Sequence, residues 1–261
     1  MININKILCP TDLTSHSRSA LRYALALARA HEAELVLLHC MPVEGFDNDT
    51  RRAELLRESI DPADLTGLRW RSLVARTEDI GDEITYQAQT ENVDLIVMRS
   101  RRRPHRAALL GSTAESVCRS APCPVLVMHN DERDWVHEGS KTDLNRILVA
   151  YDFSDYSELA LNYGLALAQE HQAELHLLHV LPPRSVSEPE IAWYPSKGDS
   201  AYHTAARRLQ RAVPAEVHVW CKVKSAVSEG YPYREILNYA EQNEIDLISV
   251  GAHGAGFGMR A

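Results

Sequence analysis

Two glycine residues near the C-terminus have the type and spacing that could bind a phosphate group. Gly251 and Gly254 follow an apolar segment, Ile-Asp-Leu-Ile-Ser-Val at 245–250. Glycine lets the backbone approach an oxyanion closely and present its N–H groups, and a following helix N-terminus would add positive partial charge. A plain glycine turn after a strand is the alternative interpretation, because Gly-x-x-Gly alone is a weak motif.

The elements that should position these glycines belong to an internal repeat of the chain. Residues 7–42 align with residues 147–182 at a constant offset of 140 and without a gap, and about half of the aligned positions are identical. A fixed-offset repeat of this length indicates duplication, so each half predicts one copy of the same fold. We therefore expect two domains, residues 1–135 and 141–261, with the polar segment 130–143 as their linker.

Each half alternates short apolar segments with segments of helical periodicity. We predict strands in the first half at 6–9, 34–41, about 70–75 and 93–98, and in the second at 146–150, 174–181, about 216–223 and 245–250. Helices are expected between these strands, including two at about 50–59 and 202–213.

The order of these elements predicts the fold class. Strands that are apolar throughout indicate parallel sheets covered by helices on both faces. Their alternation with helices predicts two tandem α/β domains, each a doubly wound, Rossmann-like open parallel sheet of strand order 3-2-1-4-5. The first half continues with a helix at about 112–120 and a fifth strand at 124–129. The second half has no counterpart of these, so its domain should lack the last helix and strand.

Composition narrows the function classes. The net charge of -8 argues against a nucleic-acid or anionic-membrane binder. No apolar run reaches the ~18 residues of a transmembrane helix, and the N-terminus lacks a signal-peptide pattern. Five cysteines without a CxxC pair or zinc spacing indicate reduced, buried thiols and a cytoplasmic location. No catalytic triad, paired-carboxylate arrangement or metal site is legible.

The predicted topology brings three segments of each copy together, because ligands of doubly wound sheets bind beyond the carboxyl ends of the strands. The first segment is the turn after strand 1, which carries Asp12 or Asp152. The second is the end of strand 2, with His39 or His179. The third is the loop after strand 4, which holds the glycines in the second copy. The two histidines should be hydrogen-bonded structural residues rather than catalytic bases.

Several motifs in a fixed order identify a family. They are Ile-Leu-Cys-Pro-Thr-Asp at 7–12, Leu-Leu-His at 37–39 and 177–179, Leu-Leu-Gly-Ser-Thr-Ala-Glu at 109–115, Ala-Pro-Cys-Pro-Val-Leu-Val at 121–127 and Val-Gly-Ala-His-Gly at 250–254. With these motifs the chain resembles the universal stress protein family, as a tandem two-domain member.

The resemblance implies a nucleotide site. Nucleotide-binding members use a Gly-x-x-Gly and a later Gly-Ser/Thr, and contact adenine and ribose with the strand-1 aspartate and the residue after the strand-2 histidine. In the second half these positions are Asp152, Val180, Gly251, His253 and Gly254. In the first half a degenerate secondary site would comprise Asp12, Cys40, Gly111, Ser112 and Thr113. ATP or AMP would be the ligand, with Mg²⁺ only alongside ATP.

The two copies depart from this pattern in different ways. The first has Arg99 and Arg102 where the second has its glycines, and the second ends before any Gly-Ser. The basic cluster could clamp an anion or could be a solvated loop, and it comprises Arg99, Arg101, Arg102, Arg103 and Arg106. Asp12 and Asp152 could contact a nucleotide or could cap the following helix.

The resemblance therefore predicts a nucleotide-responsive regulatory module of the stress response and no dedicated enzyme. One alternative is a nucleotide-free dimerisation or interaction scaffold of the same fold, and another is a weak ATPase. In the family the fifth-strand edge pairs between two domains. Because the second half lacks its counterpart, we predict that strand 124–129 pairs with another chain and forms a homodimer.

Overall fold

The computed structural model describes residues 3–14, 17–44, 50, 54, 56, 58, 60–100, 111–129, 133–137, 142–183 and 200–252. The chain divides into two compact units, Asn3–Thr142 and Asp143–Ala261. They are called the first and second domain below, and the boundaries predicted from the sequence stay a prediction. No helix within the described ranges is long and apolar enough to cross a membrane.

The first domain is a five-stranded parallel sheet of order β3-β2-β1-β4-β5. Its elements are β1 (Lys6–Pro10), α1 (Arg18–Ala30), β2 (Glu34–Met41), α2 (Pro62–Leu65), β3 (Trp70–Arg76), α3 (Ile80–Thr90), β4 (Leu95–Arg99), α4 (Ser112–Ser120) and β5 (Val125–Met128). Residues 50, 54, 56 and 58, within the predicted helix at 50–59, are also helical.

The second domain repeats the first four strands in a parallel sheet of order β8-β7-β6-β9. Its elements are β6 (Arg146–Ala150), α5 (Asp155–His171), β7 (Glu174–Leu181), α6 (Ser200–Ala212), α7 (Val217–Trp220), β8 (Val223–Glu229), α8 (Pro232–Gln242) and β9 (Leu247–Val250). Both sheets confirm the predicted doubly wound class and order, and the described part of the second domain has four strands rather than five.

One aspartate in each copy fixes the fourth strand against the first. Asp94 Oδ2 accepts hydrogen bonds from the backbone N–H groups of Asn5 and Lys6, at 2.8 and 2.9 Å. Asp246 makes the same pair of bonds, both 2.9 Å long, at the start of β6. The Val-Asp-Leu-Ile and Ile-Asp-Leu-Ile segments therefore carry a register signal as well as apolar side chains.

The third strand of the second domain lies later than predicted. The prediction of a strand at 216–223 is wrong, because residues 217–220 form α7 and the strand begins at Val223. Val217 and Cys221 are buried, whereas Val219 is 88% exposed. The buried pair is four residues apart, a spacing that places both side chains on one side of a helical turn. That turn starts after Pro214, whose carbonyl accepts from Val217 N at 3.1 Å.

The segment predicted as a polar linker is anchored to the first domain where it is described. Trp135 and Val136 are buried. The Tyr23 hydroxyl on α1 donates to Asp134 Oδ1 at 3.0 Å and accepts from Trp135 N at 3.2 Å. Arg22 Nη1 donates to Val136 O at 2.7 Å and pairs with Asp134 Oδ2 at 2.6 Å. Residues 133–137 are therefore a packed part of the first domain rather than a free connector.

Candidate functional site

The turn after the first strand has the same construction in both domains. Asp12 Oδ1 accepts from Thr14 N at 3.0 Å and from Thr14 Oγ1 at 2.7 Å. Asp152 Oδ1 accepts from Ser154 N at 3.1 Å and from Ser154 Oγ at 2.5 Å. Each carboxylate thus closes a turn through the residue two positions on, an arrangement typical of aspartate. The turn places each carboxyl group at the carboxyl end of its sheet.

The aspartates do not cap the following helices. The N-cap of α5 is Ser154, whose Oγ accepts from Ser157 N at 3.2 Å. The N-cap of α1 is Ser17, without a side-chain cap. The helix-cap interpretation of Asp12 and Asp152 is therefore wrong in its detail, because both residues brace the turn that precedes the cap.

The histidines at the ends of β2 and β7 are tied to these turns. His39 Nδ1 lies 2.9 Å from Thr11 O, and His179 Nδ1 lies 2.8 Å from Tyr151 O. A carbonyl oxygen only accepts, so each Nδ1 carries the proton and donates. Both histidines are hydrogen-bonded structural residues, as predicted.

An open cleft of about 390 Å³ lies beside Asp152 in the second domain. It is bounded by the turn after β6, the end of β7 and one side of α6, and it is lined by Asp152, Phe153, His179, Leu181, Ala201, Thr204, Ala205 and Arg208. The carboxyl ends of two adjacent parallel strands meet there, which is where doubly wound folds bind ligands. The cleft therefore is the strongest candidate site in the described part of the second domain.

Aromatic side chains form one wall of this cleft. The rings of Tyr151 and Phe153 meet edge to face with centroids 5.2 Å apart, and the Phe153 and His179 centroids are 4.6 Å apart. The Arg208 guanidinium lies over the Phe153 ring, with Cζ 3.9 Å from its centroid. This distance is within the range of a cation–π interaction. Phe153 holds its position with φ of 66°, in the left-handed region.

This wall distinguishes the second copy from the first. At the offset of 140 residues, Tyr151 and Phe153 correspond to Thr11 and Leu13. The backbone is the same in both, since Leu13 also has a left-handed φ of 60°. The aromatic substitutions therefore change the chemistry of the turn and leave its shape intact.

Tyr151 is held in place by an acidic partner. Its hydroxyl donates to Glu158 Oε2 on α5. Burial and the neighbouring carboxylate raise the pKa of Tyr151 to about 12. The phenol therefore stays protonated at neutral pH and acts as a fixed donor beneath Phe153.

Gly251 has a packing reason to be glycine. A Cβ at this position would lie 2.8 Å from Tyr156 Cβ and 2.9 Å from the Tyr156 carbonyl carbon. Gly251 follows β9, which pairs with β6 on the side away from β7. It thus stands on the other side of the Asp152 turn from the aromatic cleft. His253 and Gly254, also predicted for the site, lie outside the described residues.

Val180 faces away from the cleft. It is partly buried and packs against an apolar cluster that includes Leu148, Leu178 and Ile245. Its neighbours His179 and Leu181 line the cleft instead, because alternate residues of a strand point to opposite faces. The structure therefore brings Asp152 into the cleft and leaves the Val180 side chain in the core.

The residues predicted for the secondary site of the first domain lie after β1, on β2 and at the start of α4. Gly111 is the N-cap of α4, and Ser112 and Thr113 are its first residues. Gly111 N donates to Ser100 Oγ at 2.8 Å, which ties the helix start to the end of β4. Cys40 packs against the apolar core, and burial raises the pKa of its thiol to about 12.

The predicted basic cluster is described only at Arg99. This residue ends β4 and is half-buried. Arg101, Arg102, Arg103 and Arg106 lie outside the described residues. Within the described ranges, no group of three or more His, Cys, Asp or Glu residues is placed to hold a metal ion.

Sequence analysis missed Tyr151, whose ring packs against Phe153, and two residues that line the cleft, Phe153 and Arg208. Tyr151 and Phe153 could have been found from the sequence, because the first copy has Thr11-Asp12-Leu13 where the second has Tyr151-Asp152-Phe153. The sequence gives no such signal for Arg208, because α6 lies outside the aligned segments. Only the packing of α6 beside the strand ends places Arg208 over Phe153.

Comparisons with known proteins agree with the fold and the duplication. The model of the universal stress protein family matches residues 3–129 and again residues 144–261. A universal stress protein of Mycolicibacterium smegmatis is 26% identical over 268 residues, which cover 96% of this chain and 87% of that protein. One of Mycobacterium tuberculosis is 32% identical over 149 residues, which cover 57% of this chain and 47% of that protein.

Solved structures give the same picture. A universal stress protein from Archaeoglobus fulgidus has a TM-score of 0.67 and 24% identity, covering 97% of this chain and 86% of that one. This likeness concerns the fold. The family match, in contrast, spans nearly the whole sequence, once in each copy. The chain therefore belongs to the universal stress protein family.

Proposed function

We propose that this protein is a nucleotide-responsive regulatory module of the stress response, acts in the cytoplasm, and binds ATP or AMP in its second domain. The observation that carries the proposal is the 390 Å³ cleft beside Asp152, with its aromatic wall. Mg²⁺ would enter only with ATP.

The chemistry of the cleft suits a nucleotide. Asp152 brings a carboxylate, which has about four lone-pair sites and can accept from a ligand amino group or ribose hydroxyl as well as from its own turn. Phe153 and His179 offer ring surface for a planar base, in offset or edge-to-face contact. The lining combines polar groups with ring and aliphatic surface, and polar groups in a ligand site fix the orientation of the ligand.

Gly251, His253 and Gly254 complete the proposed site as backbone donors, with Val180 contributing main-chain atoms at the end of β7. The packing of Gly251 against Tyr156 gives that glycine a second role. The described lining residues offer hydrogen-bonding groups and ring surface for binding a ligand, and we propose regulation rather than dedicated catalysis.

A second candidate function is a nucleotide-free dimerisation scaffold. The observation that favours it is β5, which pairs with β4 and forms the edge of the first sheet. We propose that strand 124–129 pairs with a second copy of the chain. Light scattering should then give the mass of a dimer, and a strictly monomeric protein would contradict this pairing.

Calorimetry with ATP, AMP and cyclic AMP tests the nucleotide proposal. Asp152→Asn should weaken binding by about tenfold or more, because a hydrogen bond to an ionised group is worth roughly 1.5–3 kcal/mol. The turn should survive, since asparagine forms the same turn. Asp12→Asn in the first copy is the matched control and should bind as the wild type does. If none of the three nucleotides gives a heat of binding, the proposal is wrong.

A further inference from the structure

We propose that Arg208 is the stacking platform for the nucleobase in the second-domain cleft. The base lies on the outer face of the guanidinium group, and Phe153 supports the inner face. This inference rests on the proposed nucleotide function and assigns one part of the ligand to one side chain. It leaves the phosphate to the glycine loop after β9.

The order of the strands determines which end of a nucleotide enters the cleft. The cleft lies at the end of β7, Asp152 follows β6, and Gly251 follows β9. These strands are neighbours in the order β7-β6-β9, so the three features follow one another along the carboxyl end of the sheet. A nucleotide has its base, ribose and phosphate in the same linear order. With the phosphate at the glycines, the base enters the cleft and meets α6 there.

The guanidinium of Arg208 presents a flat surface in the cleft. Its carbon lies 3.9 Å from the centroid of the Phe153 ring, and both side chains line the cleft. At that distance the carbon itself is in van der Waals contact with the ring, as in a stacked arginine, with no N–H group pointing between them. Phe153 thus covers one face of the guanidinium. Arg208 is exposed, so the outer face is accessible to a ligand.

A planar base gains free energy from such a surface. Nucleobases stack on guanidinium planes as well as on aromatic rings, and the positive charge adds a cation–π attraction. Phe153 holds the plane before the ligand arrives, which reduces the side-chain entropy that an arginine otherwise loses on binding. The same stack covers a face of the Phe153 ring, so the base meets the guanidinium there and Phe153 at the ring edge.

The rest of α6 leaves room for a flat ring beside Arg208. Four residues of this helix line the cleft, and their spacing of i, i+3, i+4 and i+7 puts them on one side of it: Ala201, Thr204, Ala205 and Arg208. The first three have small side chains, and only Arg208 is long. A base on the guanidinium therefore lies along this side of the helix without displacing a large side chain.

The two copies differ at the residue that supports the platform. Leu13 stands where the second copy has Phe153, and both have a left-handed backbone, with φ of 60° and 66°. The first copy thus has no ring at this position on which a guanidinium could stack. Phe153→Leu restores the first-copy residue and therefore removes the support without straining the turn.

Calorimetry on the intact chain with AMP, adenosine and ribose 5-phosphate tests the inference. Arg208→Ala should weaken AMP and adenosine to the same degree, by about fivefold or more, because the stack with the base is lost. Ribose 5-phosphate has no base and should bind this variant within about twofold of wild type. Arg208→Lys keeps the charge without the plane and should recover only a small part of the loss. Arg208 is exposed on its helix, so these variants should fold.

Two results would overturn the inference. Unchanged affinity for AMP and adenosine in Arg208→Ala would exclude a stacked base. A loss confined to AMP and ribose 5-phosphate would assign Arg208 to the phosphate instead. Arg207→Gln is the matched control and should bind all three ligands as the wild type does. Arg207 neighbours Arg208 and is exposed, but it does not line the cleft, and its Nε donates to His203 O at 3.3 Å.

Phe153→Leu tests the support beneath the platform. It should weaken AMP binding by about twofold or more, and this cost should shrink in the Arg208→Ala background, because residues that act together are not additive. An equal cost in both backgrounds would overturn the role of Phe153 as the support.

Failure of this inference can be told apart from failure of the nucleotide proposal. If the wild type binds none of ATP, AMP and cyclic AMP, the nucleotide proposal fails and the inference fails with it. If the wild type binds AMP and Arg208→Ala binds it equally well, only the inference fails. The Nε–Hε proton of Arg208, identified by its loss in Arg208→Lys, gives a second readout by NMR. It should move upfield with adenosine, because a stacked ring shields protons above its face, and an unmoved resonance at saturating adenosine would overturn the inference.

Discussion

The absence of a side chain at Gly164 leaves space for the side chain of Val149. A Cβ on Gly164 in α5 would lie 2.7 Å from Val149 Cγ2 on β6, closer than packed carbon atoms approach. The equivalent residues of the first copy are Ala24 and Cys9, both fully buried. The helix residue is thus smaller where the strand residue is larger, so the pair has changed together since duplication.

Gly164→Ala should therefore destabilise the second domain. Overpacking costs about 1–3 kcal/mol, and the better helix propensity of alanine returns at most about 1 kcal/mol. We expect a net loss of about 1 kcal/mol in the free energy of unfolding. Hydrogen exchange of the amides in 146–150 and 155–171 measures it without interference from the first domain. The double variant Gly164→Ala with Val149→Cys reproduces the first-copy pair and should recover most of the loss. No recovery would mean that the two positions are independent.

Gly251→Ala should destabilise the protein in the absence of any ligand. The added Cβ would meet the Tyr156 carbonyl carbon at 2.9 Å and its oxygen at 3.0 Å, and backbone atoms cannot rotate away. We expect a loss of about 1–3 kcal/mol, measured by thermal denaturation. Tyr156→Ala should not rescue it, because the clashing backbone remains. Unaltered stability of the ligand-free variant would leave nucleotide binding as the reason for this glycine.

The buried histidine of β7 should make the second domain sensitive to acid. His176 is completely buried, with Nδ1 3.0 Å from Tyr239 Oη and Nε2 3.0 Å from Glu174 Oε1. Burial lowers the pKa of His176; Glu174 opposes this shift, and Lys224 and Arg146 reinforce it. The unfolded chain takes up a proton near pH 6.5, whereas the folded state does not. Stability should therefore fall as the pH drops below about 6.5.

Replacing His176 with valine, the residue of the first copy at position 36, should remove this dependence. Protonation of Glu174 in the folded state does not contribute to this pH dependence. Desolvation opposes its ionisation, but Lys222 and Lys224 lower the pKa of Glu174 to about 2, so it stays ionised above pH 5. The midpoint of urea unfolding of the second domain, followed from about pH 7.5 to 5, gives the result. His218→Gln, at an exposed histidine, should keep the wild-type slope. An unchanged slope in His176→Val would exclude His176 as its source.

Residues 133–137 should become less protected from hydrogen exchange when Tyr23, which anchors them to α1, loses its hydroxyl group. Tyr23→Phe removes the acceptor of Trp135 N–H and the donor to Asp134 Oδ1. Leaving a buried N–H without a partner costs about 1–3 kcal/mol. Exchange of the amides in 133–137 should therefore speed up by about fivefold or more. Tyr86→Phe on α3, at a residue 60% exposed, should change nothing. Equal protection in Tyr23→Phe would show that ring packing alone holds the segment.

The fold class, the duplication and the position of the aspartate turn could all be predicted from the amino-acid sequence. Those features rest on local patterns, because buried parallel strands must be apolar and alternate with helices, and a fixed offset survives divergence. Local pattern failed at 216–223, where the apolar residues fitted a strand as well as a helical turn. Val217 at the start of α7 and Cys221 directly after its end are buried, and the choice depended on their packing.

The composition of the cleft could not be predicted from the sequence, because it depends on how the helices pack against the sheet. Arg208 reaches Phe153 because α6 packs against β7 and β8, and no spacing along the chain encodes that approach. Gly251 looked like a ligand residue in the sequence, and the structure adds the backbone of Tyr156 as a reason for its missing side chain. Periodicity tells which residues must be buried in strands and helices. Which side chains then meet depends on how those elements pack.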